Sequence, residues 1–118
     1  MKETKLTGLA AAAARRRPVS FVSFTVPQYQ REEGYFAPLA GLTADQDTEL
    51  NFALVPYHPA EQEAGTTADQ VRLIDAALAA SPGGPRAWGI CTECGMGRVD
   101  RGDVPALLDL HREIIAAP

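Results

Sequence analysis

Three apolar runs along the chain indicate three β-strands. The first, over residues 19–26, is rich in β-branched and aromatic residues and stops before a proline. The second, over 50–57, is mostly apolar and ends at His58. The third, over 87–91, is shorter and leads into a segment rich in cysteine and glycine. Runs of this length and composition, bounded by proline and glycine, are typical of strands.

The segments between the apolar runs predict helices. Residues 5–17 are rich in alanine, leucine and arginine and are stopped by a proline. Residues 68–80 carry apolar side chains at helical spacing, and Thr66 or Thr67 can cap that helix through its hydroxyl. Residues 104–116 have the pattern of a final helix.

The alternation of strands and helices predicts an α/β fold with a parallel sheet covered on both faces. A short turn or helix is expected over 35–42, between the first two strands. Three strands make a thin sheet whose edges would be long and apolar, which is unfavourable in an isolated domain. The pattern therefore indicates part of a larger assembly.

Composition and charge narrow the class of protein. The chain has 118 residues, enough for one domain, and 46% of them are hydrophobic, which argues against disorder. The net charge is −4 with both signs mixed, so a nucleic-acid surface is not expected. No apolar run reaches the roughly 18–20 residues of a membrane span. The apolar stretch 9–14 is too short for a signal peptide and ends in three arginines, so we expect a cytoplasmic protein.

Both cysteines lie in one C-x-x-C pair, Cys91 and Cys94, directly after the third strand. A structural zinc site needs four ligands, and the only histidines are His58 and His111. A redox pair normally opens a helix, whereas glycines follow this pair. In a third interpretation, Cys94 is a functional thiolate and Cys91 a small buried side chain packed within the sheet layers.

Three further residues are candidates for catalysis. His58 lies just past a strand end, where it could serve as a ligand or general base, or be a solvated loop residue. Glu93 could orient a neighbouring group or simply be solvated. Arg98 follows two glycines and could hold a substrate carboxylate with two hydrogen bonds, or form a surface ion pair.

A family resemblance adds to these inferences. The chain contains in order the runs SFVSFTVP, YFAPLAGL, TELNFALVPYH, WGICTECGMGR and VPALLDLHREI. Together, over about residues 5–115, they resemble the C-terminal third of a TIM-barrel family that includes cobalamin-independent methionine synthase and uroporphyrinogen decarboxylase. The most specific part is TECGMGR after an apolar strand. The resemblance implies a partial (β/α) barrel of three parallel strands.

The resemblance also implies chemistry. In the methionine synthase branch a zinc ion binds the substrate thiol as a nucleophilic thiolate, and the last zinc-binding cysteine ends the final strand in an acidic-Cys-Gly context. Glu93-Cys94-Gly95 matches that context, so Cys94 is the candidate zinc ligand. The family's His-x-Cys pair has no counterpart in this sequence. A full barrel needs about 200 residues or more. This chain would supply only about the last three strands, so the zinc ligands of the upstream strands are missing from it.

The leading expectation is a segment related to zinc-dependent methyl or alkyl transfer to a small thiol, inactive by itself. The open sheet edge predicts self-association or a partner chain. One alternative is a non-catalytic interaction subunit or split-barrel piece completed by another chain. Another is a small redox protein with a reversible Cys91–Cys94 disulfide. We also expect Cys94 to be less buried than Cys91 and to lie near His58 and Arg98 at the mouth of the strands.

Overall fold

The computed structural model describes residues 19–59, 62–93 and 95–116. Three strands, β1 (Phe21–Thr25), β2 (Glu49–Val55) and β3 (Gly89–Thr92), form one parallel sheet in the order β1-β2-β3. The prediction of three parallel strands in an α/β fold is confirmed. The carboxyl ends of the three strands consequently lie at one edge of the sheet. The predicted helix at 5–17 and the predicted ligand Cys94 lie outside the described residues.

Helices connect the strands as the sequence pattern predicts. A short helix α1 (Glu33–Phe36) and a 3₁₀ helix (Ala37–Gly41) follow β1, and α2 (Thr66–Ala79) follows β2. Two 3₁₀ turns (Met96–Arg98 and Arg101–Asp103) and α3 (Val104–Ala116) follow β3. Within the three described ranges, no helix has the length and apolar character needed to cross a membrane.

The predicted cap of α2 is wrong. The residue before the helix is Gly65, whose φ of 84° lies in the left-handed region that favours glycine. No side chain caps the helix there. The Thr66 hydroxyl instead donates to the carbonyl of Glu63, and the Thr67 hydroxyl to Oε1 of Gln62. Both threonines therefore stabilise the loop before α2 rather than the first amides of the helix.

One face of the sheet carries the hydrophobic core. Phe24 of β1 pairs in register with Phe52 of β2, and their rings stack with centroids 5.2 Å apart. Leu39 of the 3₁₀ helix and Ile74 of α2 are fully buried in the same cluster. Both connections between strands thus place their helices on this face, as expected when right-handed crossovers join strands in consecutive order.

The other face of the sheet is partly open, in contrast to the prediction that helices cover both faces. We call it the open face; by strand alternation and register its residues include Ser23, Thr25, Asn51, Ala53 and Cys91. Ser23 and Thr25 are exposed, and Phe21 on the same side of β1 is 61% exposed. The physical reason is the strand order: both crossovers turn the same way, so their helices cannot lie on opposite faces.

Helix α3, the last helix of the chain, packs beside the core. Leu107 is buried, and Leu110 and Ile114 pack against the core cluster. These positions are spaced three and four residues apart, so they form one stripe of the helix. The same stripe carries His111, four residues after Leu107.

Candidate thiol site at the strand ends

The loops that follow β2 and β3 are joined at the carboxyl edge of the sheet. The hydroxyl of Tyr57 donates a hydrogen bond to the carbonyl oxygen of Gly95, at 2.5 Å. Tyr57 precedes His58, and Gly95 follows Cys94. The chain segments that carry these two predicted residues are therefore neighbours. The predicted proximity of the Cys94 side chain to His58 stays a prediction, because Cys94 lies outside the described residues.

A cavity of about 520 Å³ lies at the carboxyl half of the open face. Its lining residues come from all three strands, from the loop after β3 and from α3, and they include Ser23, Thr25, Ala53, Cys91, Glu93 and His111. Most of these side chains are small or polar. Because the cavity brings a thiol, a carboxylate and an imidazole together at strand ends, it is the candidate functional site of the described chain.

Cys91 is a free, half-buried cysteine in this cavity. The sequence predicted that it packs within the sheet layers, but its side chain is partly accessible from the open face. Burial raises the pKa of the Cys91 thiol above its ordinary value. The thiol is therefore protonated at neutral pH and needs a base before it can act as a nucleophile.

His111 was not among the residues predicted for the site. It is half-buried and lines the cavity, and its Nδ1 lies 2.7 Å from the carbonyl oxygen of Leu107. A carbonyl oxygen can only accept, so Nδ1 carries the proton and Nε2 of the neutral ring has a free lone pair. The signal in the sequence was the spacing: His111 lies four residues after Leu107, on the apolar stripe of its helix.

The three predicted catalytic residues occupy different places. Glu93 is exposed and lines the cavity, whereas His58 and Arg98 are exposed and do not line it. Arg98 ends the 3₁₀ turn Met96–Arg98 after β3. The structure thus brings Glu93 together with Cys91 and His111, and keeps His58 and Arg98 on the surrounding loops.

The resemblance implies a zinc ion, which needs donor side chains placed close together. Among the described residues, no group of three or more histidine, cysteine, aspartate or glutamate side chains is arranged to hold a metal ion. A tetrahedral zinc site takes three or four such donors. The described part of this chain therefore does not fit a complete zinc site.

Comparisons with protein-family models, with curated proteins and with solved structures found no match to this chain.

Proposed function

We propose that this chain is a segment of a (β/α) barrel that a second chain completes, and that the assembly transfers a methyl or alkyl group to a small thiol. The observation that carries the proposal is the strand order β1-β2-β3 with both connecting helices on one face. Barrels keep every helix on the outside of consecutive parallel strands, whereas doubly wound sheets reverse the strand order and place helices on both faces.

The open face supports the same proposal. In a barrel this face would be the interior, which side chains from neighbouring strands fill in layers. Ser23 and Thr25 are exposed instead of being packed against further strands. Within the described ranges, β1 and β3 each pair only with β2, so each has a free edge. Further strands from another chain would pair with those edges and cover the open face.

The position of the thiols supports the chemical part of the proposal. Cys91 and Glu93 lie at the carboxyl end of β3, the end at which barrels carry their active sites. Cys94 follows in the Glu-Cys-Gly context of the resemblance. Since the described donors do not complete a zinc site, the remaining zinc ligands would come from the second chain.

The experiment compares native mass and metal content of the purified chain over two orders of magnitude of protein concentration. We expect assemblies larger than the 12.6 kDa monomer. Phe21→Glu places a charge on the open face and should give monomers. The matched control is Leu108→Glu, at an apolar residue of α3 that is 43% exposed, and it should leave the assembly intact. A monomeric wild-type chain at all concentrations would contradict completion by a second copy.

Zinc content tests the chemical part separately. We expect zinc in the assembled fraction of the wild type and of Cys91→Ser, and its loss in Cys94→Ser. Assembly without zinc in any variant would overturn the transfer function and favour the second candidate, a non-catalytic interaction subunit. The exposed open face is the observation that favours this candidate. A reversible loss of two thiols on mild oxidation would instead support the redox alternative.

A further inference from the structure

We propose that the cavity on the open face is a binding site for a small cationic electrophile, with Cys91 as its nucleophile and His111 as its base. The chemistry of this proposal differs from the zinc-dependent transfer proposed for Cys94. It uses a different cysteine, and all the residues on which it depends belong to this chain. It therefore requires neither zinc nor a second chain, and it lies at the carboxyl ends of the strands, the end that stays accessible in a barrel.

The first support is the construction of the cavity. Its volume of about 520 Å³ lies in the range of small-molecule sites, roughly 300–1,000 Å³. Ala53 of the central strand contributes only a methyl group, so space remains over the middle of the sheet between β1 and β3. Ser23 and Thr25 supply hydroxyl groups on one side, and Cys91 lies on the other.

The second support is the tautomer of His111. The bond from Nδ1 to the carbonyl of Leu107 orients the ring and leaves the lone pair of Nε2 available. The Cys91 thiol makes no hydrogen bond to another described residue, and burial raises its pKa, which keeps it protonated. Cys91 and His111 line the same cavity, so water that fills the cavity can carry the thiol proton to Nε2.

The third support is charge. Glu93 is the only aspartate, glutamate, lysine or arginine among the lining residues of the described chain. Apart from Cys91, the titratable groups of the described residues that line the cavity are Glu93 and His111. With a neutral imidazole the cavity has a net negative charge, so it favours a cationic ligand and disfavours an anionic one.

The proposed step balances without a further reactant. The Cys91 sulfur forms a bond to the electrophilic atom, and the leaving group departs with the electron pair of the bond that breaks. The thiol proton moves to Nε2 of His111 and from there to solvent. With a methanethiosulfonate probe, the Cys91 sulfur is oxidised to a mixed disulfide, the S–S bond of the probe breaks, and the probe is reduced to release methanesulfinate.

The experiment uses the full chain with Cys94→Ser, so that Cys91 is the single remaining thiol. Modification rates are measured with a trimethylammonium-ethyl and a sulfonato-ethyl methanethiosulfonate, each divided by the rate for the same chain unfolded in urea. We expect the normalised rate to favour the cationic probe about fivefold. Glu93→Gln, at an exposed position, should abolish this preference without affecting folding.

The His111→Gln variant tests whether His111 accepts the thiol proton of Cys91. It should lower the rate for the cationic probe about tenfold or more at about pH 7. The difference should shrink at about pH 10, above the ordinary thiol pKa of about 8.5, because hydroxide then removes the proton. His58→Gln is the matched control and should change neither rate. Equal normalised rates for the two probes, or an unchanged rate in a folded His111→Gln chain, would overturn the proposal.

Discussion

The Tyr57 hydroxyl and the Gly95 carbonyl oxygen are hydrogen-bonded at 2.5 Å, although 38 residues separate them along the chain. The bond joins the loop after β2 to the loop after β3. It therefore holds together the two segments that carry His58 and the cysteine pair. The geometry of the carboxyl edge depends on this contact as well as on the sheet.

Tyr57→Phe should weaken the contact between the two loops at the carboxyl edge of the sheet. Removing one hydroxyl–carbonyl bond is expected to lower the free energy of unfolding by about 1 kcal/mol and to speed amide exchange at residues 95–98. Hydrogen exchange read by mass spectrometry measures the second effect. The control is Tyr35→Phe, which removes the bond from that hydroxyl to the carbonyl of Thr25. It should cost similar stability without faster exchange at 95–98, and equal exchange in both variants would contradict the prediction.

Phe52 should be the most sensitive position of the core. It is fully buried, stacks on Phe24, and meets the ring of Trp88 edge-on at 5.2 Å. Phe52→Ala is expected to lower the free energy of unfolding by about 3–5 kcal/mol through lost burial and a cavity. Urea denaturation gives the value. Phe21→Ala, at a largely exposed phenylalanine, is the control and should change stability by about 0.5 kcal/mol or less.

Gly89 and Asn51 should be energetically coupled. They are register partners on β3 and β2, and a Cβ added at Gly89 would overlap Oδ1 of Asn51. Gly89→Ala alone is expected to cost about 0.5–1 kcal/mol, because the end of the Asn51 side chain must rotate to a less favourable rotamer. Adding Asn51→Ala should recover most of that loss, and a double-mutant cycle measures the coupling. Strictly additive effects would show that the two positions do not constrain each other.

Stability should fall in alkaline solution because of Cys91. Burial raises its pKa in the folded protein, so the folded state keeps the thiol proton at a pH where the unfolded chain has lost it. The free energy of unfolding therefore decreases as pH rises above the unfolded thiol pKa of about 8.5, until the folded pKa is passed. In a Cys94→Ser background, the stability difference between Cys91 and Cys91→Ala should shift with pH only above that value. A constant difference would contradict a raised pKa.

The local pattern was sufficient to predict most of the secondary structure. The apolar runs at 19–26, 50–57 and 87–91 correspond to β1, β2 and β3, with ends that differ by one to two residues. The helices at 68–80 and 104–116 were also predicted. These features follow from local properties of the sequence: the periodicity of apolar side chains, the β-branched residues, and the proline and glycine residues that end each segment. The parallel arrangement of the strands followed from the alternation of strands and helices along the chain.

The tertiary structure alone decided which side chains share a site. Spacing along the sequence placed Cys91 and Glu93 at a strand end, but it could not show that His111, 20 residues beyond Cys91, lines the same cavity. The place of His111 in the cavity depends on where α3 packs, and α3 packs against the core cluster through Leu110 and Ile114. The tertiary structure also decided that one face of the sheet stays open, because both crossovers turn the same way. Local periodicity fixes how a segment folds, whereas contacts between distant segments depend on how their apolar faces pack together.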